Sequence, residues 1–144
     1  MIVGGLLVLF GDLARRRAAQ HHNELARLSE AAVQYSLVFG RLFGRARDAR
    51  ERGEPPKDER PDRYEASVRF FMTPGAEELY PAALEIARAY LAYLRLEPTA
   101  ENLTAGRERY KLAQRAFEAR VRAVLRRGRI GDAVAMNRIA IIDP

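Results

Sequence analysis

Leu25, Leu28, Ala32, Tyr35, Phe39, Leu42 and Ala46 recur at alternating steps of three and four residues. An α-helix turns about 100° per residue, so this spacing draws one apolar stripe along a continuous helix. Val38 and Phe43 widen the stripe. A wide stripe suits one face of a bundle better than the narrow seam of an isolated two-stranded coiled coil. The pattern predicts a helix over residues 13–52, about 60 Å long. Gly40 and Gly44 fall inside it. Each costs about 1 kcal/mol relative to alanine, so the pair is expected at a close helix crossing or at a weak point.

Residues 52–62 read "RGEPPKDERPD", with dense charge and no aliphatic or aromatic side chain. Pro55 and Pro56 end the long helix, and the stretch is a linker. In "DRYE", Asp62 stands three residues before Glu65, the spacing of a capping box. It predicts a short helix ending near Met72 with Tyr64, Val68 and Phe71 on its apolar face; an edge strand through "ASVRFFM" is the alternative. "TPGAEEL" predicts a new helix start, with Thr73 as N-cap and Pro74 in the first turn. Leu79, Ala83, Ile86, Tyr90, Tyr93 and Leu94 line that helix, and Pro81 inside it predicts a kink.

Thr99 is the expected N-cap of the last helix. Leu103, Gly106, Tyr110, Ala113, Phe117, Val121 and Val124 form its stripe, and "RRG" closes it with Gly128 as C-cap. The tail, residues 131–144, reads either as one more short helix capped by Asp132 or as an extended segment through "IAII". The expected fold is therefore all-α: a long N-terminal helix with antiparallel helices packed on it, as a helical bundle or helical hairpin. Three regions follow: an apolar segment 1–14, a bundle 15–130 and the tail 131–144.

Chemistry is sparse in this chain. With no cysteine, disulfides, thiolate metal sites and a cysteine nucleophile are excluded. His21 and His22 are adjacent, so they point about 100° apart on a helix and cannot clamp one metal together. A di-metal bundle uses glutamate followed three residues later by histidine; His21 with Glu24 is the reverse order. A solvated helix face accounts for both histidines. The acidic pairs Glu77–Glu78 and Glu51–Glu54 lie at a helix start and a linker, where capping and solvation explain them. Ser29, Ser36 and Ser67 lie in no glycine elbow, and no glycine-rich phosphate loop is present. The expectation is a non-enzymatic protein with no metal, no cofactor and no small-molecule substrate.

The net charge of +6 and pI near 10.1 favour anionic partners, either nucleic acid or an anionic membrane leaflet. Arginine supplies 23 of the 25 basic residues, a bias that a GC-rich genome also produces. "GRARDARERGE" alternates in sign and reads as a self-paired solvated face. Arg115, Arg122 and Arg126 are more one-sided, at steps of seven and four, and form a candidate anion contact. Nucleic-acid binding also calls for stacking aromatics, but Tyr110 and Phe117 lie on the core stripe. A soluble basic protein binding nucleic acid is the alternative reading.

The opening "MIVGGLLVLFGDLARRR" carries the main functional signal. A secretory signal places its positive charge before the apolar run; here the arginines come after it. Residues 1–14 would form about 21 Å of helix, short of the roughly 30 Å hydrocarbon core. Snorkelling arginines, neighbouring membrane helices or an upstream start would offset the shortfall. Apolar on every side, residues 1–10 do not form an amphipathic stripe. Insertion as a membrane helix is expected, with burial in a soluble bundle or an oligomer contact as the alternative. The contact residues are Ile2, Val3, Leu6, Leu7, Val8, Leu9 and Phe10, with Arg15, Arg16 and Arg17 at the headgroups. Arginines directly after the apolar run place the bulk of the chain in the cytoplasm; a wholly soluble cytoplasmic protein is the alternative.

The stretches "GGLLVLFGDLARRR", "LARLSEAAVQYSLVF", "TPGAEELYPAALEIARAYLAYL" and "RAFEARVRAVLRRG" together cover most of the chain. In layout it resembles a loose group of uncharacterised bacterial proteins, with a short N-terminal membrane helix and then a cytoplasmic arginine-rich helical bundle. The resemblance implies an anchored cytoplasmic helical domain and no activity. The apolar–arginine junction, the continuous stripe and the lack of catalytic groups lead to the expectation of a scaffold or accessory subunit, with a protein partner or homo-oligomer, anionic lipid as a further contact and nucleic acid after these. The very short apolar run is where this chain departs from that layout.

Overall fold

A computed structural model describes the backbone of residues 2–128 and the side chains of residues 11–128. Among the described residues four helices follow one another: α1 (Ile2–Glu51), α2 (Arg60–Phe71), α3 (Tyr80–Arg95) and α4 (Ala100–Arg127), with a 3-10 turn (Ala76–Leu79) before α3. No strand occurs among the described residues, so the all-α bundle stands and the edge strand does not. The tail 131–144 lies outside the described residues.

α1 runs for 50 residues without a break, about 75 Å. The boundary expected at residue 14 is therefore not a break in the helix. Contacts along α1 fix the directions of its partners. Arg45 pairs with Glu59 near the start of α2, and Tyr35 packs against Phe70 near its end. Tyr35 meets Ala83 early in α3, and Phe43 meets Tyr93 late in it. Phe43 also meets Tyr110 in α4, and His21 meets Gly128 at its end. Thus α2 and α4 run antiparallel to α1, while α3 runs alongside it in the same direction.

The core is the α1 stripe closed over by the others. Leu28, Ala32, Tyr35, Phe39, Leu42 and Ala46 are buried, as are Leu79, Ala83, Ile86, Tyr90 and Tyr93 of the third segment and Tyr110, Ala113, Phe117 and Val124 of α4. Aromatics dominate the centre. Phe43 and Tyr110 stack with centroids 4.0 Å apart, and Phe39 meets Tyr90 edge-on at 5.8 Å. Such offset and edge contacts add to plain area burial.

Several local expectations change. α2 begins at Arg60 with Glu59 in the N-cap position and Pro61 in the first turn. Asp62 sits inside that turn rather than capping it, because proline is itself a good helix start. Its buried residues are Ala66 and Phe70, whereas Tyr64 is 67% exposed. α2 is thus rotated from the face drawn through Tyr64, Val68 and Phe71. Thr73 does not cap: its hydroxyl donates back to the Arg69 carbonyl. Gly75 takes φ 85°, a left-handed turn that stops any helix from starting at Pro74. α3 starts later, so Pro81 lies in its first turn and causes no kink.

Gly40 and Gly44 are not at a helix crossing, since a Cβ at either would meet nothing within 4 Å. The close approach is at Gly106, where a Cβ would lie 2.5 Å from Leu96 Cδ1 and 2.8 Å from Tyr93 Cδ2. Thr99 accepts from the Asn102 N–H at 3.2 Å, and Gly128 closes α4 at φ 70°, as expected.

Candidate functional site

The part of α1 that precedes the bundle is the most exposed helical segment of the fold. Residues 11–20 are all exposed, and Leu13 keeps 48% of its surface in solvent. His21 is where the bundle begins: its Nε2 lies 2.6 Å from the Gly128 carbonyl at the end of α4. That contact replaces the solvated role expected for His21 and meets an otherwise free C-terminal carbonyl. Arg15, Arg16 and Arg17 lie on the free stretch, exposed, with no ion pair among the described residues. The backbone of residues 2–10 continues the same helix.

Among the described residues, no helix is long and apolar enough to cross a membrane. The expectation of a transmembrane helix is corrected on this point. Continuing α1 past residue 10 brings in Asp12 and three arginines rather than further apolar residues.

Arg115, Arg122 and Arg126 are exposed along one face of α4, and none forms an ion pair among the described residues. No aromatic lies with them, because Tyr110 and Phe117 are buried beneath. The two candidate contacts, the α1 extension and the α4 arginine face, are not brought together into one concave site.

An open groove of about 780 Å³ runs between α1 and α2. Ala31, Val38, Ala66 and Phe70 give it an apolar floor, and Arg27, Arg41, Asp62 and Glu65 stand among its polar wall residues. Neither histidine lines it. Among the described residues, no group of three metal-ligating side chains converges anywhere.

Buried polar groups mark the structural joints instead. Glu78 is 3% exposed, and Arg127 Nη2 reaches its Oε1 at 2.7 Å. This carboxylate was expected to be solvated; instead it is buried against a cationic partner 49 residues away. Arg50 Nη2 donates to the Leu94 and Leu96 carbonyls at 2.9 and 2.8 Å, closing the C-terminus of α3 with a cation where the helix dipole favours one. The Tyr35 hydroxyl donates to the Ala83 carbonyl at 2.7 Å. Burial, and then the neighbouring Tyr110, push the Tyr35 pKa above its ordinary value. Burial and then Tyr90 do the same for Tyr110. Nothing in sequence distinguishes these tyrosines from plain core aromatics.

Taken together, fold and geometry define a four-helix bundle with a projecting basic helix end. Comparison with protein-family models, with curated proteins and with solved structures gives no match for this chain.

Proposed function

We propose that this chain is a non-enzymatic helical scaffold or accessory subunit that docks on an anionic membrane surface through the end of α1. One observation carries the reading: the ten-residue run 11–20 is exposed on every side and leads from the bundle to a segment of wholly apolar or glycine composition. A helix end of that kind gains from a low-dielectric surface that the bundle itself does not provide.

Residues 2–10 span about 14 Å of helix. That matches the depth of about one leaflet rather than a crossing. In this reading Ile2, Val3, Leu6, Leu7, Val8, Leu9 and Phe10 enter the acyl boundary. Arg15, Arg16 and Arg17 lie at the phosphates, and the bundle stands off the surface on the cytoplasmic side. Attachment is peripheral, which agrees with the short apolar run. The layout resemblance supports the same picture of an anchored helical domain.

Co-sedimentation with phosphatidylcholine vesicles, with and without phosphatidylglycerol, tests this. The chain is expected to pellet with the anionic vesicles and to be released by salt. Replacing Arg15, Arg16 and Arg17 by glutamine should weaken binding on the order of a hundredfold, at about 1 kcal/mol per arginine. No association with either vesicle type would end the membrane reading.

A second reading has its own observation, the exposed and unpaired Arg115, Arg122 and Arg126 on α4. A nucleic-acid contact there predicts affinity falling linearly in log–log against salt. Absence of retention on heparin or DNA at low salt removes it.

A further inference from the structure

The outer face of α1, opposite the core stripe, has a shape that no contact among the described residues explains. Val33 and Leu37 stand 50% and 54% exposed on it. Gly40 and Gly44 follow at three and seven residues beyond Leu37, and the space over both is open. At about 100° per residue, Glu30, Val33, Leu37, Gly40, Gly44 and Arg47 fall on one seam at alternating steps of three and four. The seam therefore has an apolar ridge, an adjoining hollow, an acid at one end and a base at the other.

We propose that this seam is a twofold interface with a second copy of this chain, α1 against α1 in antiparallel register. Reversing the seam about the midpoint between residues 38 and 39 sets Leu37 opposite Gly40 of the second copy, Val33 opposite Gly44 and Glu30 opposite Arg47. Ridge meets hollow and acid meets base, each twice, under one symmetry axis. Glu30 has no ion-pair partner within the chain among the described residues. Arg47 holds only the loose contacts to Asp48 at 3.5 Å and Glu51 at 4.0 Å. The two helix-interior glycines then have a purpose: they let the neighbouring backbone come close. The groove between α1 and α2 borders the seam at Glu30 alone, which stands on its rim, and the core lies on a third side, so neither obstructs the second copy.

The inference does not rest on membrane docking, but it bears on it. Antiparallel pairing sends the two projecting α1 ends in opposite directions, roughly 110 Å apart. Such a pair would bridge two surfaces rather than sit with both ends in one.

Sedimentation of the full chain over a range of concentrations, without lipid, is the test. A monomer–dimer equilibrium is expected. Leu37→Glu should weaken it by on the order of a hundredfold, since two charges would be buried without partners. Gly40→Leu should also shift the chain to monomer while leaving its melting temperature equal or higher, because the space over Gly40 is open in the single chain. That separates lost pairing from lost folding. Glu30→Arg and Arg47→Glu should each weaken the dimer, and the double exchange should restore it. A chain that stays monomeric overturns the inference. So does a dimer that tolerates Gly40→Leu and shows no rescue by the charge exchange. Vesicle binding plays no part in these readouts, so the two proposals fail separately.

Discussion

Tyr35, Tyr90 and Tyr110 are all buried in the core, and the surroundings of their hydroxyls differ. Tyr35 has an acceptor in the Ala83 carbonyl, while the Tyr90 and Tyr110 hydroxyls are buried with no hydrogen-bond partner. A buried polar group without a partner costs roughly 1–3 kcal/mol. Tyr35→Phe is therefore expected to destabilise the fold by about 1 kcal/mol. Tyr90→Phe and Tyr110→Phe should be neutral or stabilising, and urea denaturation distinguishes the two outcomes. The same burial gives the core an alkaline limit. Tyr35, Tyr80, Tyr90, Tyr93 and Tyr110 all have pKa values raised above 10.0, in each case first by burial. Above pH 10 the unfolded chain releases these protons and the folded chain keeps them. Stability should then fall as pH rises past about 10, with tyrosinate absorbance appearing together with loss of helix. Glu78 gives the opposite kind of joint. Arg127→Ala leaves a carboxylate buried without that cation and should cost about 3 kcal/mol; Glu78→Gln, which keeps an acceptor without the charge, should cost less.

At the scale of the elements, legibility in the sequence followed how local each determinant is. The α1 stripe, the Thr99 cap and the Gly128 cap depend on residues within a few positions of one another, and all three could be read directly. α2 has only 12 residues. Two rotations of so short a helix are almost equally apolar, and only packing of Phe70 against Tyr35 and Phe117 selects one. The start of α3 depended on Gly75 turning left-handed, which the run "TPGAEEL" masks behind a plausible cap. Burial of Glu78 depended on Arg127, and local pattern carries no trace of a partner that distant. The glycines make the clearest contrast. Gly40 and Gly44 were expected at a close crossing or a weak point, but Gly106 is the one pressed against Tyr93 and Leu96. Gly40→Ala should raise the stability of the single chain by about 1 kcal/mol. Gly106→Ala should lower it by about 1 kcal/mol, because overpacking outweighs the gain in helix propensity. Thermal melts of the two variants should move in opposite directions.

For the whole molecule, the four helices divide the work unevenly. α2, α3 and α4 close over the later part of α1 and make the core. Residues 11–20 of α1 bury almost nothing against them, since all ten are exposed. Fold stability and the proposed docking function should therefore separate along a single helix. That the projecting end is basic was plain from the composition; that the helix stays unbroken through it was not, because the change from the apolar segment 1–14 to the arginines that follow suggested a boundary. The decisive measurement compares the full chain with one lacking residues 2–14, by thermal melting and by co-sedimentation with anionic vesicles. The account predicts an unchanged melting temperature and loss of vesicle binding. Retained binding, or a shortened chain that no longer folds cooperatively, would contradict it.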